Sequence, residues 1–259
     1  MSESNDRILN KLFKESNTYI EEAVGLNKEE FIKVVESRRS VRIYNESKVE
    51  AEDMLKCLEL SLLSANSSNL QPWEFYWVKD LDKKQQLIDY CLGQPAAATA
   101  QELVVCVARP DNWKVNTQLM LDMFKEKELP KAVSTYYKKI VPLAYNQGFL
   151  GLFGLIKKIS TFFIGLKRSI PREPTSFNDM KIWAHKSTAL ACQTLMLSLR
   201  AFGYDSCPME GIDSRKIKKL LKLPKKAQIC MVISVGKRAK NGVYGKRFRL
   251  EKERFIKVI

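Results

Sequence analysis

Three arginines and a serine stand within five residues of one another, in the segment RRSVR from Arg38 to Arg42. A guanidinium is planar and carries several fixed donors, so arginine can bind a phosphate dianion through paired hydrogen bonds. Arg38 and Arg39 could hold such a group, and the Ser40 hydroxyl could donate a further hydrogen bond. Taken alone, a basic cluster of this kind is most often a solvated face or an unspecific anion patch.

A second group of polar side chains lies in SSNLQPW, residues 67–73, directly before the aromatic and β-branched run EFYWVK. That run is typical of a buried strand, so Asn69 and Gln71 are expected in a loop where the strand begins. Loops in such positions often carry binding or catalytic groups. Asn69 and Gln71 are therefore candidate ligand-binding residues.

A third segment, FGYDSCPMEGID at residues 202–213, follows a long helical pattern. Gly203 is suited to end that helix, because glycine adopts the left-handed conformation of a C-terminal cap. A turn is predicted next, and the missing side chain at Gly211 would let a ligand approach the backbone closely. The alternative is an ordinary loop between a helix and a strand. The candidate binding residues here are Pro208, Met209, Glu210 and Gly211.

The C-terminal part of the chain is strongly basic. Residues 214–259 contain sixteen Lys or Arg and two Glu, and sixteen minus two gives a local net charge of +14, against +15 for the whole chain. Most of these charges must lie on the surface, because charged side chains are rarely buried without a partner.

These four segments, in this order, resemble the nitroreductase family. Together they span residues 38–249, which is most of the chain. The sequence departs from the family pattern just before the second segment, where Ser64, Ala65 and Asn66 stand in place of the usual Ala-Pro-Ser. The resemblance therefore supports a ligand contact from Asn69 and not from Asn66.

The resemblance implies an FMN site that uses each segment. Arg38 and Arg39 would bind the FMN phosphate, and Ser40 would hydrogen-bond the phosphate or the ribityl chain. Arg42 would face the pyrimidine edge of the flavin, where the reduced form carries negative charge. Asn69 would contact the isoalloxazine or ribityl region, with Gln71 as a neighbouring cofactor-binding residue.

The two C-terminal segments complete the implied site. The backbone amides of Glu210 and Gly211 would face the N5 and O4 edge of the flavin, with Pro208 and Met209 in the same stretch. The basic tail would return Arg247 and Arg249 to the phosphate. The sequence leaves the register of that contact open among Lys246, Arg247 and Arg249.

The implied function is that of an oxidoreductase. NADH or NADPH would reduce FMN, and an electron-poor acceptor such as a nitroaromatic, a quinone or a similar conjugated compound would then be reduced in a ping-pong sequence. No side chain needs to act as a catalytic acid or base. The implied fold is α+β with three layers, a central and mostly antiparallel sheet flanked by helices. The family assembles as homodimers with FMN between the subunits.

Length and composition agree with one large domain. The 259 residues are 45% hydrophobic, and no Pro/Gly/Ser-rich linker divides them, so we expect a single domain over residues 1–259. The N-terminal stretch MSESNDRILNKLFKESN is charged and lacks the continuous apolar run of a secretory signal, which predicts a cytoplasmic protein.

Two other classes of protein could explain parts of the sequence. A nucleic-acid-binding protein would account for the charge of +15, but no recognition-helix, zinc-finger or RNP pattern accompanies it. A peripheral membrane protein without redox activity would account for the apolar residues 145–173. It would leave the four matched segments unexplained.

Metal and hydrolase chemistry have little support. The six cysteines are scattered without a CxxC pair, which predicts buried structural residues and neither a disulfide framework nor a zinc site. Cys207, beside the predicted flavin loop, is the one with a possible redox role. His185 is the single histidine and sits on a helical pattern, with no GxSxG nucleophile elbow elsewhere.

Helices and strands alternate along the chain. Asn27 and Glu30 resemble a capping box for a helix that uses Phe31, Val34 and Val35 as its apolar face and ends at Arg38. Met54, Leu55, Leu58 and Leu62 predict a second helix, and residues 180–202 predict the longest, with Leu195, Met196 and Leu199 buried. Residues 102–108 and 228–236 are predicted core strands.

Residues 145–173 form an amphipathic insert with an apolar helical stripe. Lys157, Lys158 and Arg168 fall off the stripe, and two lysines interrupt the apolar stretch before it reaches about 20 residues, so we expect no membrane span. The stripe could belong to a core or dimer-packing helix, to a lid over an apolar pocket, or to a membrane-surface element. Its residues are Phe149, Leu152, Leu155, Ile156, Ile159, Phe163, Leu166 and Ile170.

Overall fold

The computed structural model describes residues 22–126 and 131–259. The N-terminal stretch MSESNDRILNKLFKESN, which is predicted not to be a secretory signal, lies outside the described residues. Within the described ranges the chain contains a four-stranded sheet flanked by helices.

The sheet is antiparallel throughout, with the strand order β1-β2-β4-β3. The two predicted core strands have the predicted bounds, and both lie in the centre of the sheet, where long apolar runs are expected. The α+β class with an antiparallel sheet is thus confirmed. The strands are β1 (Trp73–Trp77), β2 (Glu102–Ala108), β3 (Asp205–Met209) and β4 (Gln228–Gly236).

Helices occupy most of the remaining described chain. The first four are α1 (Lys28–Ser37), α2 (Ala51–Leu62), α3 (Leu81–Tyr90) and α4 (Pro95–Ala98). They are followed by α5 (Trp113–Glu126), α6 (Lys131–Thr135), a π-helical turn (Tyr136–Ile140), α7 (Val141–Tyr145) and α8 (Leu152–Lys167). The last two are α9 (Phe177–Ala201) and α10 (Ser214–Leu220).

The sheet separates two apolar cores because successive side chains of a strand point to opposite faces. On β2, Leu103, Val105 and Val107 pack in the core that includes residues of α3, α4 and α10. Val104 and Cys106 point the other way, into the core formed with α2 and α9. This alternation produces the three layers that the family resemblance implies.

The aromatic run EFYWVK predicts a buried strand, but strand β1, which contains most of it, is only partly buried. It lies at one edge of the sheet, and four of its five residues are only partly covered. An edge strand has a neighbour on one side alone, which explains the difference.

Helix α1 begins and ends where the sequence predicts. The Asn27 side chain accepts hydrogen bonds from the backbone amides of Glu29 and Glu30, and Arg38 follows the last helical residue. The Glu30 carboxylate does not complete a capping box, because it binds the Lys33 ammonium. The predicted apolar face also stays largely exposed at Phe31.

Helix α2 uses a different face from the one predicted. Met54 is buried, but Leu55 and Leu62 are exposed, and Cys57 and Ser61 are buried in their place. The helix packs chiefly against α9, so only a narrow strip is covered and small residues occupy it.

The long helix α9 confirms the strongest helical pattern. Its residues Leu195, Met196 and Leu199 are buried, and it begins at Phe177, three residues before the predicted start, where the Ser176 hydroxyl accepts a hydrogen bond from the Asp179 amide. Gly203 follows with a φ of +85°, the left-handed conformation expected of a capping glycine.

The apolar insert contains a short 3-10 turn, Phe149–Gly151, and helix α8. By length and composition the stretch Phe149–Lys167 could cross a membrane, and it is the one such stretch among the described residues. The two lysines therefore do not by themselves make the stretch too short or too polar to span. That it does not span stays a prediction. The predicted stripe is exposed, so a core-packing role for it is also wrong.

Replacing Leu199 with Ala should lower the free energy of unfolding by about 2 to 5 kcal/mol, because the side chain is 0% exposed and its loss leaves a cavity in the core shared by α9 and the sheet. Urea denaturation measures this change. The matched control is Leu81→Ala, at a side chain that is 80% exposed, which should change stability by less than about 0.5 kcal/mol. Equal effects of the two variants would contradict the packing described here.

Candidate functional site

The arginine segment and the basic tail meet in a pocket of about 240 Å³, which we call the arginine pocket. One wall comes from the residues that follow α1, and the other comes from the chain beyond β4. Its lining residues are Arg38, Arg39, Ser40, Arg42, Val243, Tyr244, Gly245, Lys246, Arg247, Phe248 and Arg249.

The first wall is held by backbone hydrogen bonds on both sides. Ser40 forms an isolated parallel bridge with Ser206 of β3, and the Val41 amide donates to the Ser206 carbonyl at 3.2 Å. The Arg42 amide donates to the Gly242 carbonyl at 2.8 Å. The segment therefore runs between the outer edge of β3 and the loop after β4.

The second wall is tied to the first through arginine side chains. Arg39 Nη2 donates to the Gly245 carbonyl at 2.6 Å, and Arg247 Nη2 donates to the Arg38 carbonyl at 2.5 Å. Each arginine retains other guanidinium donors, so these contacts position the groups without using them up. The structure thus brings Arg38, Arg39 and Arg247 together across more than 200 residues of sequence.

Arg38 is a partly buried cation that lacks a counter-ion among the described residues. Burial lowers the pKa of the Arg38 guanidinium, and the neighbouring charges of Arg247, Arg249 and Arg39 lower it further. Its Nη1 atom is buried and has no hydrogen-bond partner. A buried donor without a partner is unfavourable, and so are like charges held together, so an anion bound here would relieve both.

A phosphate dianion fits these donors. Arg249 also lies close enough to influence Arg38, and Lys246 lines the same pocket. The volume is below the range that pockets for whole drug-sized ligands occupy, about 300 to 1,000 Å³. The arginine pocket is therefore suited to the phosphate end of a cofactor such as FMN and not to its three-ring system.

Arg42 lies at another part of the same pocket. Its guanidinium carbon is 5.8 Å from the centre of the Tyr244 ring, a cation–π arrangement that orients the side chain. The Cys207 thiol is buried nearby, and burial raises its pKa while the charges of Arg42 and Arg38 oppose that rise. A thiol with a raised pKa is poorly reactive, so the geometry favours a structural role for Cys207.

The predicted turn at residues 208–211 begins two residues later than expected. Pro208 and Met209 belong to strand β3, and Glu210 and Gly211 lie beyond its end. Proline is tolerated here because β3 is an edge strand, paired along its length with β4 and on its other side bridged to Ser40 at Ser206 alone among the described residues. Ser206 of β3 is bridged to Ser40, so the arginine segment and residues 208–211 both lie along β3.

Gly211 is held in place through its own backbone. The Gln94 side-chain amide donates to the Gly211 carbonyl at 2.8 Å. A Cβ atom added at Gly211 would meet only Gln94 Nε2, at 3.8 Å, which is an ordinary contact. A side chain at this position would therefore not collide with the rest of the chain, so the packing of the protein does not require a glycine at residue 211.

The loop that carries Asn69 and Gln71 is strained and lies apart from the arginine pocket. Ser68, Asn69 and Gln71 have φ values of +58°, +48° and +45°, in the left-handed region that non-glycine residues rarely adopt. The Asn66 carboxamide oxygen accepts from the Gln71 amide at 2.7 Å, so Asn66 supports the loop. Among the described residues that line the pocket, Asn69 and Gln71 are absent.

Sequence reasoning missed a buried carboxylate beside the pocket. Asp205, on β3, is 5% exposed and binds Arg200 Nη1 at 2.9 Å and Arg238 Nε at 2.8 Å. Arg238 also donates to the Ser37 carbonyl at 3.3 Å. An acidic residue next to a capping glycine, ahead of an apolar strand, was the available signal.

The cysteines and the histidine form no recognisable metal site. Among the residues that the structure describes, no group of three or more His, Cys, Asp or Glu side chains could hold a metal ion. Five cysteines are buried and Cys230 is partly buried, and all six are free.

Replacing Asp205 with Asn should destabilise the fold at pH 7 by about 3 kcal/mol, the low end for a broken buried pair because both arginines are partly exposed. Burial opposes ionisation of Asp205, but hydrogen bonds and charge from Arg238, with the charge of Arg200, hold its pKa below the usual value. This stabilisation is therefore complete above the unfolded pKa of about 3.9 and lost as pH falls through the folded pKa.

Urea denaturation of the wild type and the Asp205→Asn variant at pH 7 and near pH 3 measures this effect. The difference between the two proteins should shrink at the lower pH. Asp82→Asn, at an exposed side chain of α3, is the matched control and should change little. Equal stability of wild type and Asp205→Asn at pH 7 would contradict the role assigned to the carboxylate.

Comparison with known proteins finds relatives in both sequence and structure. The Nitroreductase family model matches residues 35–237. Protein DrgA of Synechocystis is 28% identical over 211 residues, covering 81% of this chain and 84% of DrgA. A Thermus thermophilus NADH dehydrogenase is 26% identical over 217 residues, covering 83% of this chain and 90% of the relative.

A solved structure shows the same fold. The crystal structure of a protein from Exiguobacterium sibiricum, determined in complex with FMN, superposes with a TM-score of 0.66. It is 21% identical, and the match covers 94% of this chain and 100% of that protein.

Proposed function

The chain belongs to the nitroreductase family and is an oxidoreductase, and from this premise we propose that it uses FMN and NAD(P)H to reduce an electron-poor small molecule. Nitroaromatics, quinones and similar conjugated compounds are the proposed acceptors. The reaction would follow a ping-pong sequence, with the nicotinamide and the acceptor using the same site in turn. We also propose that the protein is cytoplasmic and that residues 1–259 form a single domain.

The proposal rests on the Arg38 guanidinium, which is partly buried and has no counter-ion among the described residues. Its Nη1 atom is buried without a hydrogen-bond partner, and its pKa is lowered by burial and by Arg247 and Arg249. Clustered cations of this kind are unfavourable unless an anion joins them. The terminal phosphate of FMN is such an anion, and the pocket volume suits it.

Each residue of the pocket would then have a distinct task. Arg38, Arg39, Arg247 and Arg249 would hold the phosphate through charge-assisted hydrogen bonds, and the Ser40 hydroxyl would add a donor. Arg42 would stabilise negative charge that develops at the pyrimidine edge. Bound FMN would supply the hydride-accepting and hydride-donating centre. The protons that the reduced acceptor also needs would come from water, so no side chain is required as the acid or base.

The edge of β3 would orient the flavin ring. Ser206 carries the arginine segment, and Glu210 and Gly211 follow at the end of the same strand. Their backbone amides are the proposed donors toward the N5 and O4 edge. The bond from Gln94 to the Gly211 carbonyl would keep that backbone in one orientation.

A homodimer would bring the remaining candidates to the cofactor. Asn69 and Gln71 share no cavity with the arginine pocket in the described part of a single chain, so a second copy is the natural source of their contact. Apolar residues on the outer face of α9, such as Ile182 and Leu190, are exposed and available for such an interface.

Light scattering on the flavin-loaded protein should give twice the monomer mass. Since each site would need both copies, diluting the protein until it dissociates should release flavin as well. A flavin-loaded monomer would refute the shared site and leave the arginine pocket as a complete single-chain site.

Purified protein should be yellow, and its oxidised-flavin absorbance should bleach when NAD(P)H is added without oxygen. A colourless protein that cannot be reconstituted with FMN would overturn the proposed function. Because the spectrum reports the cofactor directly, this test needs no knowledge of the natural acceptor.

Replacing both Arg38 and Arg39 with Ala should weaken FMN binding by about a hundredfold or more, because each charge-assisted hydrogen bond contributes about 1.5 to 3 kcal/mol. Equilibrium dialysis followed by flavin absorbance measures this loss. The double variant Arg215→Ala with Lys219→Ala removes the same charge from exposed positions on α10 and should keep its flavin. Circular dichroism should show all three proteins folded. Full flavin retention by the first variant would contradict the phosphate role.

A further inference from the structure

Helix α8 turns its apolar face away from the protein. Seven apolar side chains recur at helical spacings of three and four residues along one face, and each keeps more than half of its surface exposed. Phe149 and Leu150, in the turn just before the helix, are exposed as well. The seven are Leu152, Leu155, Ile156, Ile159, Phe162, Phe163 and Leu166.

The face that α8 turns toward the protein is small and polar. Gly154 is the one buried residue of the helix, and a Cβ atom there would collide with the Thr175 carbonyl. The Lys157 ammonium donates to the carbonyls of Ala144 and Pro174, at 2.7 and 3.0 Å. This arrangement is the reverse of an ordinary surface helix, which buries its apolar side.

A second set of contacts fixes the same orientation further along the helix. Arg172 Nη1 donates to the Thr161 carbonyl at 2.8 Å. Its guanidinium lies against Gly165, where a Cβ atom would collide with it. With both ends of its inner face attached to the protein, α8 lies on the surface. Within the described residues of one chain, this apolar face is packed in no core, and no residue of the helix lines the arginine pocket.

The charged residues of the helix itself are all basic, although Glu173 and Asp179 line the cavity beside its Ile159 and Phe163 side chains. Residues 132–172 contain seven Lys or Arg and no Asp or Glu. Lys158 and Lys167 are exposed on α8, and Arg168 is exposed directly after it. The seven cations are Lys138, Lys139, Lys157, Lys158, Lys167, Arg168 and Arg172.

We propose that α8 docks the protein on the surface of a bilayer that contains anionic phospholipid. An exposed apolar helical face with aromatic residues, edged by lysines, is the pattern of helices that lie in the membrane interface. The helix is about 24 Å long, enough to lie along that surface over four turns. Phe162 and Phe163 would enter the acyl boundary, and Lys158 and Lys167 would meet lipid phosphates.

Charge complementarity favours an anionic bilayer over the pairing of two α8 helices from two copies of the chain. Pairing two α8 helices through their apolar faces would bring Lys158 and Lys167 of one copy near the same cations of the other, with no acidic residue on the helix to offset them. Anionic headgroups remove that repulsion. This proposal does not rest on the flavin function, because it uses a different surface and a different ligand.

Vesicle sedimentation tests the proposal with the full-length protein. Wild-type protein should pellet with vesicles that contain about a third phosphatidylglycerol, pellet weakly with pure phosphatidylcholine, and be released by high salt. The double variant Ile159→Ser with Phe163→Ser should lose binding by about tenfold or more, because two apolar side chains no longer enter the bilayer. Lys158→Glu with Lys167→Glu should lose the preference for anionic lipid.

Matched controls separate docking from general effects. Leu63→Ser with Leu81→Ser removes two side chains that are each 80% exposed elsewhere, and Arg215→Glu with Lys219→Glu makes the same charge change on α10. Both controls should bind vesicles as the wild type does. Thermal melting should show every variant folded, since all the substituted side chains are exposed.

Two results would overturn the proposal. One is wild-type protein that remains in the supernatant with anionic vesicles. The other is an Ile159→Ser, Phe163→Ser variant that binds as tightly as wild type. If the first result comes with a fall in oligomer mass for that variant, seen by light scattering, the face belongs to a contact with a second copy. Flavin content and bleaching by NAD(P)H, measured on the same samples, report separately on the proposed enzymatic function.

Discussion

The arrangement around the arginine pocket depends on the ion pairs that the Asp205 carboxylate forms with Arg200 and Arg238. The carboxylate is buried in β3 and joins Arg200 at the end of α9 to Arg238 after β4, and Arg238 in turn binds the carbonyl of Ser37. One carboxylate thereby pairs with two arginines, and the chain is held at Ser37, directly before Arg38. Arg38 itself has no such carboxylate and leaves Nη1 unpaired. Arg200 and Arg238 pair with a carboxylate and Arg38 does not, and this contrast supports the proposal that the arginine pocket binds an anion.

The parts of the fold that were predictable are those set by local pattern. Strands β2 and β4 are central, so their continuous apolar runs correspond to burial on both faces. The Asn27 cap and the Gly203 terminus depend on one residue each and were also found. The buried face of α2 was misjudged because its neighbour, α9, covers only a strip, and leucine spacing alone does not reveal the width of a contact. The outward face of α8 could not be predicted either, since periodicity identifies a stripe but not the direction in which it points.

The candidate site shows the same division. The motifs located the arginine segment and the basic tail, and the structure brings Arg38, Arg247 and Arg249 together. Asp205 was missed because its partners lie on two other elements, and only the tertiary fold shows that one carboxylate serves both Arg200 and Arg238. The strand assignment of Pro208 was missed because proline signals a turn, whereas an edge strand accepts it. The role of Asn69 stays a prediction, because its loop and the arginine pocket are separate within one chain.

The two proposed anion-binding surfaces of this basic chain differ in how deeply their cations are buried. In the arginine pocket Arg38 and Arg39 are partly buried, and hydrogen bonds to backbone carbonyls fix Arg39 and Arg247. Salt would therefore screen a dianion bound against Arg38 less than one bound at an exposed lysine. On α8, Lys158 and Lys167 are exposed, and each alone would contribute about 1 kcal/mol at a charged membrane surface. Binding there must therefore rely on the apolar face, with charge selecting the lipid. A composition of +15 cannot distinguish these two cases, because the difference lies in how much water each cation keeps.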